Sequence, residues 1–134
     1  MRVDLAVVAD GANTTGDGKL NILGVFGVIH ALELPWRHPQ MYLVVRFSGD
    51  AADQGQTKHL SIQLRDADGK LLMQIETDVD IPPDAGIRPQ IDSVIGLSGV
   101  TFPKAGAFDF MVMINGQTEG RVPIEVRLAP PPEE

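Results

Sequence analysis

The chain has 134 residues, a length that makes one domain able to bury roughly two-thirds of its unfolded surface. It holds no cysteine, which excludes disulfides, thiolate zinc sites and a cysteine nucleophile. Its formal net charge of −7 argues against nonspecific nucleic-acid or anionic-membrane binding, and no apolar run approaches the ~18 residues of a membrane span.

The opening segment, Met1 to Asp10, carries one basic residue and a short apolar run that soon turns acidic, unlike a signal peptide. A soluble, cytoplasmic chain is expected. Arg2 to Ala9 reads as a first strand, apolar on both faces, and Asp10 to Gly18 as a loop of turn formers. Lys19 to Leu34 is the long apolar stretch. Ile22, Phe26 and Ile29 are helically spaced, but Gly24, Gly27 and the β-branched residues favour a strand that bends or bulges. As a strand it too is apolar on both faces, so one face needs a loop or a second subunit to cover it, and a homo-oligomer is expected.

Pro35 to Gln40 reads as a connection between two prolines, and Met41 to Phe47 as the next strand. Lys58 to Val79 reads as a hairpin turning at Asp68-Gly69. A plain two-residue turn there pairs Leu64 with Met73 and Ile62 with Ile75 on one face, and His59 with Asp78 on the other. Ile81 to Pro89 is a proline-rich loop and Gln90 to Val100 a strand without clean alternation.

The closing segment, Phe102 to Leu128, is a strand, an Asn115-Gly116 turn and a strand. A plain turn would set Phe110 opposite Arg121 and put the aromatic row on the charged face. Either a three-residue loop or a bulge at Gly120 corrects this, pairing Phe110 with Val122 and Phe108 with Ile124. Pro123 donates no ladder bond, which suits an edge or a bulge. Short strands separated by turn signals, with no helix among them, predict an all-β, immunoglobulin-like antiparallel sandwich of about seven or eight strands. Residues 1–128 form the domain, and the Pro/Glu-rich segment 129–134 is expected to be a disordered tail.

Chemistry is sparse. His30, His38 and His59 form no His-x-x-x-His or Glu-x-x-His pair. Gly96-Leu97-Ser98-Gly99 lacks the spacing of a nucleophile elbow. Asp66-Ala67-Asp68-Gly69 opens like a calcium loop but lacks its remaining ligands. No enzyme activity and no cofactor are expected. If successive strands alternate in direction, loops one, three and five share one end and gather Asp10, Asp17, Asp50, Asp53, Asp80 and Asp84. Asp50, Asp53, Asp80 and Asp84 are the candidate metal ligands, for Ca²⁺ held by carboxylates and carbonyls. Trp36, Arg37 and His38 are the partner-binding candidates, since Trp and Arg are enriched at interface hot spots; alternatively Trp36 folds back to cap the core.

Val3-Asp4-Leu5-Ala6, Gly18-Lys19-Leu20-Asn21-Ile22-Leu23-Gly24-Val25-Phe26, His38-Pro39-Gln40-Met41-Tyr42-Leu43-Val44, Phe102-Pro103 and Val122-Pro123-Ile124 resemble a family of uncharacterised small bacterial proteins of this length. The resemblance runs over the whole chain. It implies an immunoglobulin-like β-sandwich and no site residues. The expected role is a non-enzymatic protein-interaction or assembly module; the alternative is a sandwich that binds Ca²⁺ or carbohydrate through its acidic loops.

Overall fold

The computed structural model describes residues 1–130. It contains nine strands: β1 (Arg2–Thr14), β2 (Leu20–Phe26), β3 (Val28–Ala31), β4 (Trp36–Ser48), β5 (Thr57–Asp66), β6 (Leu71–Asp80), β7 (Gln90–Phe102), β8 (Gly106–Ile114) and β9 (Gln117–Leu128). A single 3₁₀ turn, Ala51–Asp53, follows β4, and among the described residues no helix is long enough and apolar enough to cross a membrane. Beyond Pro130 the expected tail lies outside the described residues.

The strands form two sheets, β2-β1-β4-β7 and β3-β9-β8-β5-β6, antiparallel throughout except for β3 on β9. The chain crosses between sheets after β2, after β3, after β4, after β6 and after β7. This connectivity is that of an immunoglobulin-like sandwich. Inward residues of both sheets meet in one core. Val8, Met41, Leu43, Val45, Phe47 and Leu97 face Leu60, Ile62, Leu64, Phe108, Phe110 and Ile124, all essentially buried. Phe102 meets Phe108 edge to face at a ring separation of 5.1 Å, the geometry that the ring quadrupoles favour.

The closing hairpin has the register that the face pattern demands. Asn115 (φ 50°) and Gly116 (φ 82°) make a two-residue turn, and a bulge between Val112 and Met113 then sets Val112 opposite Gly120. From there Phe110 pairs with Val122 and Phe108 with Ile124. The β5–β6 hairpin also pairs as expected, Leu64 with Met73 and His59 with Asp78, but its turn is not plain. A bulge brings Arg65 opposite Leu71, so Leu72 is the extra residue.

Three expectations are corrected. The apolar stretch 19–34 is not one two-faced strand: it breaks at Gly27 into β2 and β3, which belong to different sheets. The extra break makes nine strands, close to the seven or eight expected. β1 runs on to Thr14, because Gly11, Ala12 and Asn13 find ladder partners in Leu23, Ile22 and Asn21. Trp36, Arg37 and His38 are not in a connection but at the start of β4, paired with Phe102, Thr101 and Val100. β4 passes through Pro39 because the β4–β7 ladder skips that position, opposite Gly99 at φ +69°.

Candidate interaction surface

Alternation along β1 and β4 puts apolar residues on both faces of the four-stranded sheet. Ala6, Val8, Leu43 and Val45 point into the core. Their neighbours Leu5, Val7, Ala9, Tyr42 and Val44 therefore point outward, joined by Val94 of β7 and by Leu23 and Val25 of β2. Val44 and Ala9 have no exposed surface, because their outward neighbours close over them, whereas Leu23 and Val25 on the edge are 76% and 60% exposed. The Tyr42 ring lies over Gly96, where a side chain would meet it at 3.5 Å. A shallow depression of about 470 Å³ runs beside it, lined by Gly11, Asn13, Asn21 and Leu23.

Charged side chains gather at the far end of this face in two opposite-sign pairs, Arg46 with Asp92 and Arg2 with Asp4. Arg46 donates to both carboxylate oxygens of Asp92, at 2.7 and 3.1 Å. This bidentate pair raises the proton affinity of the guanidinium further. A chain of net charge −7 thus carries a nearly apolar, charge-balanced surface on one side. The opposite sheet differs. Its outward residues include His59, Gln63, Arg65, Glu76 and Asp78, with the half-buried Met111 and Met113 among them.

The acidic loops meet only in part. The segments after β4 and β6 lie side by side, with Gly55 N–H donating to Ile81 O at 2.9 Å and Gly49 N–H to Pro89 O at 3.0 Å. This brings Asp50, Asp53, Asp80 and Asp84 to one end. Asp10 and Asp17 go elsewhere, because the β2–β3 break changes which loops share an end. Three of these carboxylates are already engaged. Asp53 accepts from Lys58 Nζ and from the Asp50 N–H, both at 2.9 Å, and these hold its carboxyl below the usual carboxylate range. Asp50 caps the 3₁₀ turn by accepting from Ala52 N–H, and Asp80 accepts from Thr57 Oγ1 at 2.7 Å. Among the described residues, no three His, Asp or Glu side chains are grouped as metal ligands.

The three partner-binding candidates separate. Arg37 lies against Gly99, whose missing side chain leaves room for the guanidinium. Trp36 and His38 are half-buried at the opening between the edge strands β2 and β3, with the indole N–H donating to His38 Nδ1 at 3.2 Å. Phe26 meets His38 at a ring separation of 5.8 Å. Together with Asp10, Ile29 and His30 they line a pocket of about 240 Å³. Burial pushes the His38 imidazole toward its neutral form, partly opposed by the charge of Asp10.

The signal for the apolar outer face was present in the sequence, in the two-sided β1. What alternation alone did not supply was the set of strands beside it.

A model described as a family of unknown function, DUF6941, matches residues 4–127. Among solved structures, an immunoglobulin-like protein from Pseudomonas aeruginosa is similar at 16% identity and a TM-score of 0.47, covering 94% of this chain and 95% of that one. A comparison with curated proteins finds no match.

Proposed function

For a chain that belongs to DUF6941, a family of unknown function, we propose the role of an assembly module that docks through the outer face of its four-stranded sheet. One observation carries this reading: the half-buried Leu5, Val7, Tyr42 and Val94 and the exposed Leu23 and Val25 lie on the solvent side of β2-β1-β4-β7, over the fully buried Ala9 and Val44. Large contiguous apolar patches on a soluble chain mark interaction sites. The favoured occupant is a second copy of the same chain. Elsewhere the surplus negative charge repels a second copy, but here the charges at the end of the face are balanced within it, Arg46 by Asp92 and Arg2 by Asp4. A two-fold contact needs a self-complementary patch, and an apolar sheet face laid on its own copy supplies one.

The role is that of a binding module rather than a catalyst. It is supported by the absence of acid–base spacing in the sequence and by the engagement of Asp50, Asp53 and Asp80 in local hydrogen bonds. Light scattering over a range of concentrations tests the proposal. A dimer or larger species that dissociates on dilution is the expected result. A monomer at every concentration would remove it.

A further inference from the structure

The pocket between β2 and β3 has a composition that the assembly role leaves unused. Its walls are the rings of Phe26, Trp36 and His38 with Val28, Ile29 and His30, and a single carboxylate, Asp10, stands beside them. The Asp10 carboxylate lies close against β2. Gly24 lies opposite in β2 at φ +71°, and a Cβ on it would come within 2.6 Å of Asp10 Oδ2. Glycine therefore serves twice, by adopting the left-handed backbone and by letting the carboxylate approach. Among the described residues, Asp10 has no ion-pair partner.

Two of the polar atoms on the rings are already paired. The indole N–H and His38 Nδ1 are bonded to each other. That bond makes Nδ1 the acceptor, so the proton of the neutral imidazole sits on Nε2. What Trp36 and Phe26 present to a ligand is therefore electron-rich ring surface, with the His38 Nε2–H left as a donor at its side. A sugar would find the indole donor already spent. A metal ion would find one carboxylate and no group of three ligands among the described residues. A cation with an apolar shell matches both halves of the site, since ring faces attract it and the free carboxylate offsets its charge.

We propose that this pocket binds an alkylated ammonium group, such as a quaternary ammonium head or a methylated lysine side chain. Trp36 is the sole tryptophan, so its fluorescence reports directly on the pocket. The intact protein is titrated with choline chloride at constant ionic strength, and separately with 3,3-dimethyl-1-butanol, the neutral molecule of the same shape, and with methyl glucoside. The expected result is a saturable change with choline and binding of the neutral isostere about fivefold weaker or more. Asp10→Asn should weaken choline by a similar factor and leave the neutral isostere unchanged. No saturable response to choline, equal affinity for the neutral isostere, or preference for the glucoside would overturn the proposal. The comparison of ligands on the unsubstituted protein decides the matter even if Asp10→Asn folds poorly. The outcome is independent of self-association, because the pocket opens between the sheets and not on the apolar face.

Discussion

Arg46 and Asp92 face each other across the β4–β7 ladder as a bidentate pair, with contacts of 2.7 and 3.1 Å. They stand at the charged end of an otherwise apolar surface, and each makes the other tolerable there. Asp92→Ala leaves a half-buried guanidinium without its acceptor. It should lower unfolding stability by about 1 kcal/mol and weaken self-association. Replacing both, as Arg46→Met with Asp92→Ala, should recover most of the loss. Urea denaturation of the two variants, read with their solution masses, checks the coupling.

Leu23 and Val25 are the most exposed apolar side chains of the outer face, at 76% and 60%. Neither contributes to the core, so Leu23→Asp and Val25→Asp should change the melting temperature little. Each should nevertheless convert an oligomer to a monomer, because a desolvated carboxylate at an apolar contact carries a large cost. Unchanged mass in both variants would place the interface elsewhere.

Asn115 holds the last hairpin against β5. Its backbone N–H donates to His59 O and its Oδ1 accepts from His59 N–H, both at 2.8 Å. Its φ of 50° also needs a residue that tolerates the left-handed region. Asn115→Gly keeps the backbone and loses the side-chain bond, costing about 1 kcal/mol. Asn115→Ala adds the backbone strain and should cost about 2 kcal/mol. The order, alanine worse than glycine, is read from urea midpoints.

Asp53 ties the loop after β4 to Lys58, and the hydrogen bond to Lys58 is the largest cause of its lowered pKa. A carboxyl whose folded pKa lies below its unfolded value adds stability above the unfolded pKa and loses it as pH falls through the folded one. Lys58→Met removes the main cause of that shift. The variant should be less stable than the parent at pH 7, and the gap should close as pH falls below the ordinary carboxylate pKa of 3.8. Thermal melts from pH 7 down to about pH 2.5 follow the gap across that window.

Much of the strand pairing was legible because it is local. Asn115-Gly116 and Asp68-Gly69 mark turns by backbone chemistry, and the period-two alternation on either side admits few registers. Requiring Phe110 and Val122 to share a face narrowed the last hairpin to a three-residue loop or a bulge near Gly120, and the bulge is what forms. The candidate sites were less legible. Trp36 and His38 were visible as unusual residues. Their union with Phe26 and Asp10 depends on β2 lying beside β1 and on β4 starting where it does.

What the sequence determined by itself was the class of fold and the faces of its hairpins. Neighbours a few residues apart fix these through dihedral preference and alternation. What only the tertiary structure decided was the assignment of strands to sheets. The break at Gly27 sends Val28–Ala31 to lie parallel to Glu125–Leu128, a partner at the far end of the chain that no local pattern announces. That long-range choice leaves β2 on the edge of the other sheet, exposes Leu23 and Val25, and opens the pocket beside Trp36.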